Sequence, residues 1–120
     1  MPFERNAREI VLSCIAALNR EDYKTARLYL SDDVTFAGVL GSRRGADAYL
    51  LDMKRMRLHY EVRKAFSDGS DVCLFSDLVI SGTIIFVCSW YTVKLGKIRS
   101  LRVVFDPRPL LEANPLKHAA

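Results

Sequence analysis

The chain has 120 residues, half of them hydrophobic and 27% charged, a balance that gives one globular domain with one core and excludes general disorder. The net charge of +4 favours acidic partners but carries no nucleic-acid signature, so no nucleic acid is expected. No apolar run is long enough for a membrane helix and residues 1–5 lack the apolar core of a secretion signal, so no membrane association and a cytoplasmic location are expected.

In chain order, residues 5–19 predict an amphipathic helix with Ala7, Val11, Cys14, Ile15 and Leu18 on one face. Asn19-Arg20-Glu21-Asp22 breaks it, and Asp22 can cap a second helix that runs to about Leu30 and buries Tyr23, Ala26 and Leu30. A short strand over 34–40 follows, then a loop over 41–45. A third helix over 46–57 buries Ala46, Tyr49, Leu50 and Met53, and its end is rich in cations that suit the helix dipole.

From Leu58 the pattern changes to strands, over 59–66, 72–80, 83–94 and 97–106. Ser67-Asp68-Gly69-Ser70, Ser81-Gly82 and Leu95-Gly96 supply the turns. Pro107 and Pro109 cannot donate ladder hydrogen bonds, so the sheet ends there. The expectation is a single α+β domain over 1–120, with its core over about 5–111 and 112–120 a loose tail.

The strand over 83–94 barely alternates. Ile85, Val87, Ser89 and Tyr91 point to one face, and Ile84, Phe86, Cys88 and Trp90 to the other. Leu101, Val103 and Phe105 oppose Ile98, Ser100, Arg102 and Val104. Val72, Leu74, Ser76 and Leu78 oppose Cys73, Phe75, Asp77 and Val79. Both faces are apolar, yet three short helices cover only one. The second face predicts a homodimer through the sheet, with Phe75, Phe86, Trp90, Arg102 and Val104 at the interface. The alternative is a C-terminal tail folded over it.

The stretch Tyr29-Leu30-Ser31-Asp32-Asp33-Val34-Thr35-Phe36, the Ser42-Arg43-Arg44-Gly45 loop, the long hairpins, Gly96-Lys97-Ile98 and Phe105-Asp106-Pro107 together resemble the nuclear-transport-factor-2-like superfamily, also called SnoaL-like or ketosteroid-isomerase-like. The resemblance covers residues 5–111 and rests on their order and spacing. It implies a cystatin-like cone, three N-terminal helices on a curved, mostly antiparallel sheet, with a pocket between them and dimers through the sheet. It implies functions as varied as isomerases, dehydratases, cyclases and noncatalytic binding modules. Where isomerase members carry a base, a tyrosine donor and a protonated acid, this chain has Gly38, Cys14 and Ser89, so steroid-type isomerisation is not expected.

The inner face then offers Phe36, Tyr49, Ser89, Tyr91, Val103 and Phe105 to a small, mostly apolar ligand, beside Gly38, Leu74, Ser76, Leu78 and Leu101. The same residues could instead fill the core. Tyr91 and Ser89 are the expected polar anchors. An enzyme using His59 or Asp106 with Tyr91, and a noncatalytic dimerisation module, are the other readings. Asp77 is expected to pair with Arg102, and Asp106 to cap a strand end. Cys14, Cys73 and Cys88 read as buried, reduced thiols. Arg43, Arg44, Lys54, Arg55 and Arg57 read as a solvated face. Gly38-Val39-Leu40-Gly41-Ser42 lacks the ending of a phosphate loop, and His59 and His118 form no metal set, so no cofactor or metal is expected.

Overall fold

Asn6 opens the fold by accepting a hydrogen bond from the Glu9 N–H at 2.8 Å, which caps α1 (Ala7–Asn19). The structure, a computed structural model, describes residues 6–113. Asp22 caps α2 (Tyr23–Arg27) by accepting from the Thr25 N–H at 3.1 Å. Helix α2 is shorter than the sequence predicts, and Leu30 belongs to the next strand, β1 (Leu30–Gly38). The reason is a distant partner: the Tyr29 carbonyl accepts the Ile98 N–H at 2.8 Å, which draws the chain into the sheet.

The segment predicted as a loop is a short strand, β2 (Gly41–Arg44). It returns antiparallel along the end of β1, with Thr35 opposite Arg44 and Gly38 opposite Gly41. Helix α3 (Ala46–Met56) buries the predicted stripe of Ala46, Tyr49, Leu50 and Met53. Strands β3 (His59–Asp68), β4 (Asp71–Ile80), β5 (Thr83–Lys94) and β6 (Lys97–Phe105) follow as long hairpins. Gly69 takes the positive φ, 61°, that its turn requires.

After Pro107 the chain forms α4 (Arg108–Ala113), where the sequence predicts a loose tail from position 112. Pro107 stops the ladder, and its carbonyl accepts the Leu110 and Leu111 N–H groups, which starts a helical turn. His118 and the rest of the predicted tail lie outside the described residues.

The six strands stand in the order β2-β1-β6-β5-β4-β3. Strand β1 runs parallel to β6, and every other pair is antiparallel. The helices sit on one face. Val11, Cys14, Ile15 and Leu18 of α1 join the same core as Val72, Leu74, Ile85, Val87, Tyr91 and Leu101 of the sheet. One face assignment is corrected. Thr92 pairs with Ser100 but Val93 pairs with Ile98, leaving Arg99 as a bulge that turns Ile98 into the core. Among the described residues no helix is long and apolar enough to cross a membrane.

Candidate functional site

Between the sheet and α3 lies an open cup of about 510 Å³. Phe36 and Gly38 of β1, the β1–β2 hairpin, α3, Leu78 and Ile80 of β4, Val103 and Phe105 of β6, and Leu110 of α4 enclose it. Its volume lies within the range of small-molecule sites, and apolar side chains form most of its wall. Gly38 is necessary to its shape. A Cβ there would stand 2.9 Å from Cζ of Phe36, whose ring lies across the glycine. Gly38 is therefore covered by an aromatic ring.

The polar groups of the cup gather on one side. The Arg43 fork grips Asp52 of α3, Nε to Oδ2 at 2.7 Å and Nη2 to Oδ1 at 3.1 Å. Hydrogen bonding from Arg43 holds the Asp52 carboxyl below the usual carboxylate range. Arg55 lies one turn further along α3 and also lines the cup. Buried Tyr60 stands at the inner end. Burial pushes its phenol up to about 12, although a hydrogen bond with Tyr49 pulls the other way.

Of the residues predicted to bind a ligand, Phe36, Val103 and Phe105 line the cup. Tyr49 packs against Phe36 with ring centroids 5.8 Å apart, on the core side of that ring. Tyr91 lies deeper, beside Tyr49, Cys14 and Leu101 around a small void of about 10 Å³. Its hydroxyl has no partner at hydrogen-bonding geometry. Burial drives its pKa well above the ordinary value, with Ser89 opposing the shift. Ser89 is itself fully buried on β5. Phe36 borders both spaces.

Arg43, Asp52 and Arg55 are cup residues that the sequence reading placed on a solvated face or left aside. The available signal was the i, i+3 spacing of Asp52 and Arg55, beside Met53 and Met56 on the same helix. The proposed relocated acid–base residues do not converge. His59 is exposed and 3.8 Å from Glu61. Asp106 is held by the Arg108 guanidinium at 2.7 Å, which lowers its pKa to about 2. Neither lines the small void beside Tyr91 or the cup.

Asp77 pairs with Arg63 at 2.6 Å rather than with Arg102, because the β3 bulge between Val62 and Lys64 falls at Arg63. Cys14 is buried, and desolvation pushes its thiol up to about 12. Cys73 and Cys88 are only half-buried, with sulfurs 3.5 Å apart on the outer face of the sheet. Among the described residues no three His, Cys, Asp or Glu side chains group as a metal set.

That outer face carries the residues predicted for a dimer. Phe66, Phe75 and Phe86 form a row across β3, β4 and β5, with centroids 5.7 and 6.1 Å apart. Phe86, Val104 and Ile84 are 59%, 64% and 65% exposed. The Trp90 indole donates to Asp71 at 2.9 Å, and the Arg102 guanidinium stands 6.0 Å from its ring centre.

The chain is similar to an NTF2-like protein of unknown function from Cytophaga hutchinsonii ATCC 33406. The two share 40% identity over 92% of this chain and 99% of the other, with a TM-score of 0.89. It is also similar to an LEH-like epoxide hydrolase from M. tuberculosis, at 26% identity over 88% of this chain and 86% of the other, with a TM-score of 0.73. An uncharacterized cystatin fold protein from Novosphingobium aromaticivorans shares the fold, at 19% identity over 82% of this chain and 97% of the other, with a TM-score of 0.75. No protein-family model matches the chain, nor does any curated protein.

Proposed function

The chain belongs to the NTF2-like superfamily, and from that premise we propose that it binds a small, mostly apolar molecule between sheet and helices. The observation that carries this reading is the open, apolar-walled cup of about 510 Å³. A cup of that size buries most of a small ligand, and its apolar wall supplies the driving force. Phe36, Val103 and Phe105 form its contact surface. Tyr49, Ser89 and Tyr91 support Phe36 from the core or anchor a ligand that displaces its ring.

A neutral solvatochromic dye such as Nile red tests the reading. Its fluorescence rises with the wild-type protein and falls to the free-dye level with Val103→Trp, which fills the cup. Equal fluorescence with the folded variant would assign the dye to another surface and sink the proposal.

The apolar outer face favours a second assignment, a homodimer through the sheet. Phe66, Phe86, Ile84 and Val104 make a larger exposed apolar surface than scattered single residues would. Sedimentation equilibrium should give twice the chain mass of 13.6 kDa. A single-chain mass at high micromolar concentration would remove this assignment.

A further inference from the structure

The charges at the cup are unequal in number, and this asymmetry specifies the ligand further. Arg43 and Arg55 line the cup together with one carboxylate, Asp52. Both Asp52 oxygens are taken by the single Arg43 fork, at 2.7 and 3.1 Å. That pair is bidentate, and the Arg55 charge acts on the same carboxyl from further off, lowering its pKa as well. Arg55 has no ion-pair or hydrogen-bond partner among the described residues. Two guanidiniums therefore face one carboxylate, and the site carries an excess of positive charge.

The rest of the cup is arranged around that charge. Arg43, Asp52 and Arg55 lie on the β2 and α3 side. Leu78, Ile80, Val103, Phe105 and Leu110 line the cup from β4, β6 and α4. Val39, Leu40 and Met56 line the same cup and are 44%, 63% and 40% exposed, an apolar rim without a cover of its own. Met53 and Met56 are unbranched and adapt to varied apolar shapes.

We propose that the ligand of this cup is an amphipathic monoanion, a carboxylate with an apolar body, whose head pairs with Arg55 and whose body lies along the rim and the β4–β6 wall. The inference rests on the cup being a binding site and adds the charge of its ligand. A planar guanidinium matches a carboxylate through two parallel N–H donors. A cationic head would meet like charge, and a neutral head would leave Arg55 unpaired. The net charge of +4 also favours the approach of an anion.

Titration calorimetry with octanoate, 1-octanol and octylammonium tests this, because the three share one chain and differ in head charge. Wild type should bind octanoate about two- to fivefold more tightly than octanol, the size of one exposed charge pair, and octylammonium more weakly than either. Arg55→Gln should abolish the preference for octanoate, bringing its affinity level with that of octanol. The Met53 and Met56 methyl resonances should shift on binding. Equal affinity for octanoate and octanol, or an octanoate preference that survives Arg55→Gln, overturns the anionic ligand and leaves the apolar cup standing. Binding of none of the three overturns the cup itself.

Discussion

At the scale of single residues, the candidate site depends on a hydrogen atom. Gly38 lacks the Cβ that would press on the Phe36 ring, and nothing about its backbone demands glycine. Gly38→Ala should move the ring rather than the strand, since the nearest atom is the far end of a side chain. We expect a loss of about 1 kcal/mol, typical of mild overpacking, read as a lower urea midpoint with altered Phe36 ring shifts in NMR. Charged residues give a second expectation. Hydrogen bonds from Arg108, Arg43, Arg27 and Trp90 depress Asp106, Asp52, Asp32 and Asp71 below the ordinary 3.8, Asp106 to about 2. A carboxyl depressed on folding stabilises the native state above its unfolded pKa and loses that contribution as pH falls through the folded value. The urea midpoint should therefore fall between about pH 4 and pH 2, and less steeply in high salt, because these pairs are exposed. The inward Phe36, Val103 and Phe105 were legible in the sequence because strand alternation fixes their face. The Arg43–Asp52 pair was not, because it joins residues nine apart through the β2 turn, which periodicity does not register.

At the scale of elements, α1 is fastened to β3 by one side chain. Asn19 donates to the Tyr60 carbonyl at 2.9 Å and accepts from the Tyr60 N–H at 2.8 Å, as a neighbouring strand would. Asn19→Ala removes both bonds from a partly buried site and should cost about 2 kcal/mol. Asn19→Asp keeps the acceptor but loses the donor and places a charge against a carbonyl, so it should restore none of this. Chemical denaturation of the three proteins checks the order. Helix faces and the four long strands followed from hydrophobic period and turn residues. The boundaries that differed, α2 with Leu30, the face of Ile98 and strand β2, were each set by a partner far away in sequence. Tyr29 bonds Ile98, and a bulge at Arg99 resets β6, so local pattern could not supply them.

At the scale of the whole molecule, the two faces of the sheet offer separate apolar surfaces. Phe86→Glu places a charge in the aromatic row without touching the inner face, since Phe86 is 59% exposed. If the proposed homodimer forms, sedimentation should report a folded monomer for this variant and twice that mass for wild type, with octanoate affinity unchanged. That both faces are apolar was visible in the near absence of alternation over 83–94. The parallel pairing of β1 with β6 was not visible, and it also governs how the chain reaches its structure. The second wall of the cup is β6, which is made after every other described strand and must close on a segment made about 65 residues earlier. Until then Leu30, Val34 and Phe36 have no lasting neighbour on that side. Contacts so distant in sequence slow folding and lengthen the exposure of apolar surface to aggregation. A nascent chain paused before residue 97 should therefore hold chaperones, and release them once β6 pairs with β1.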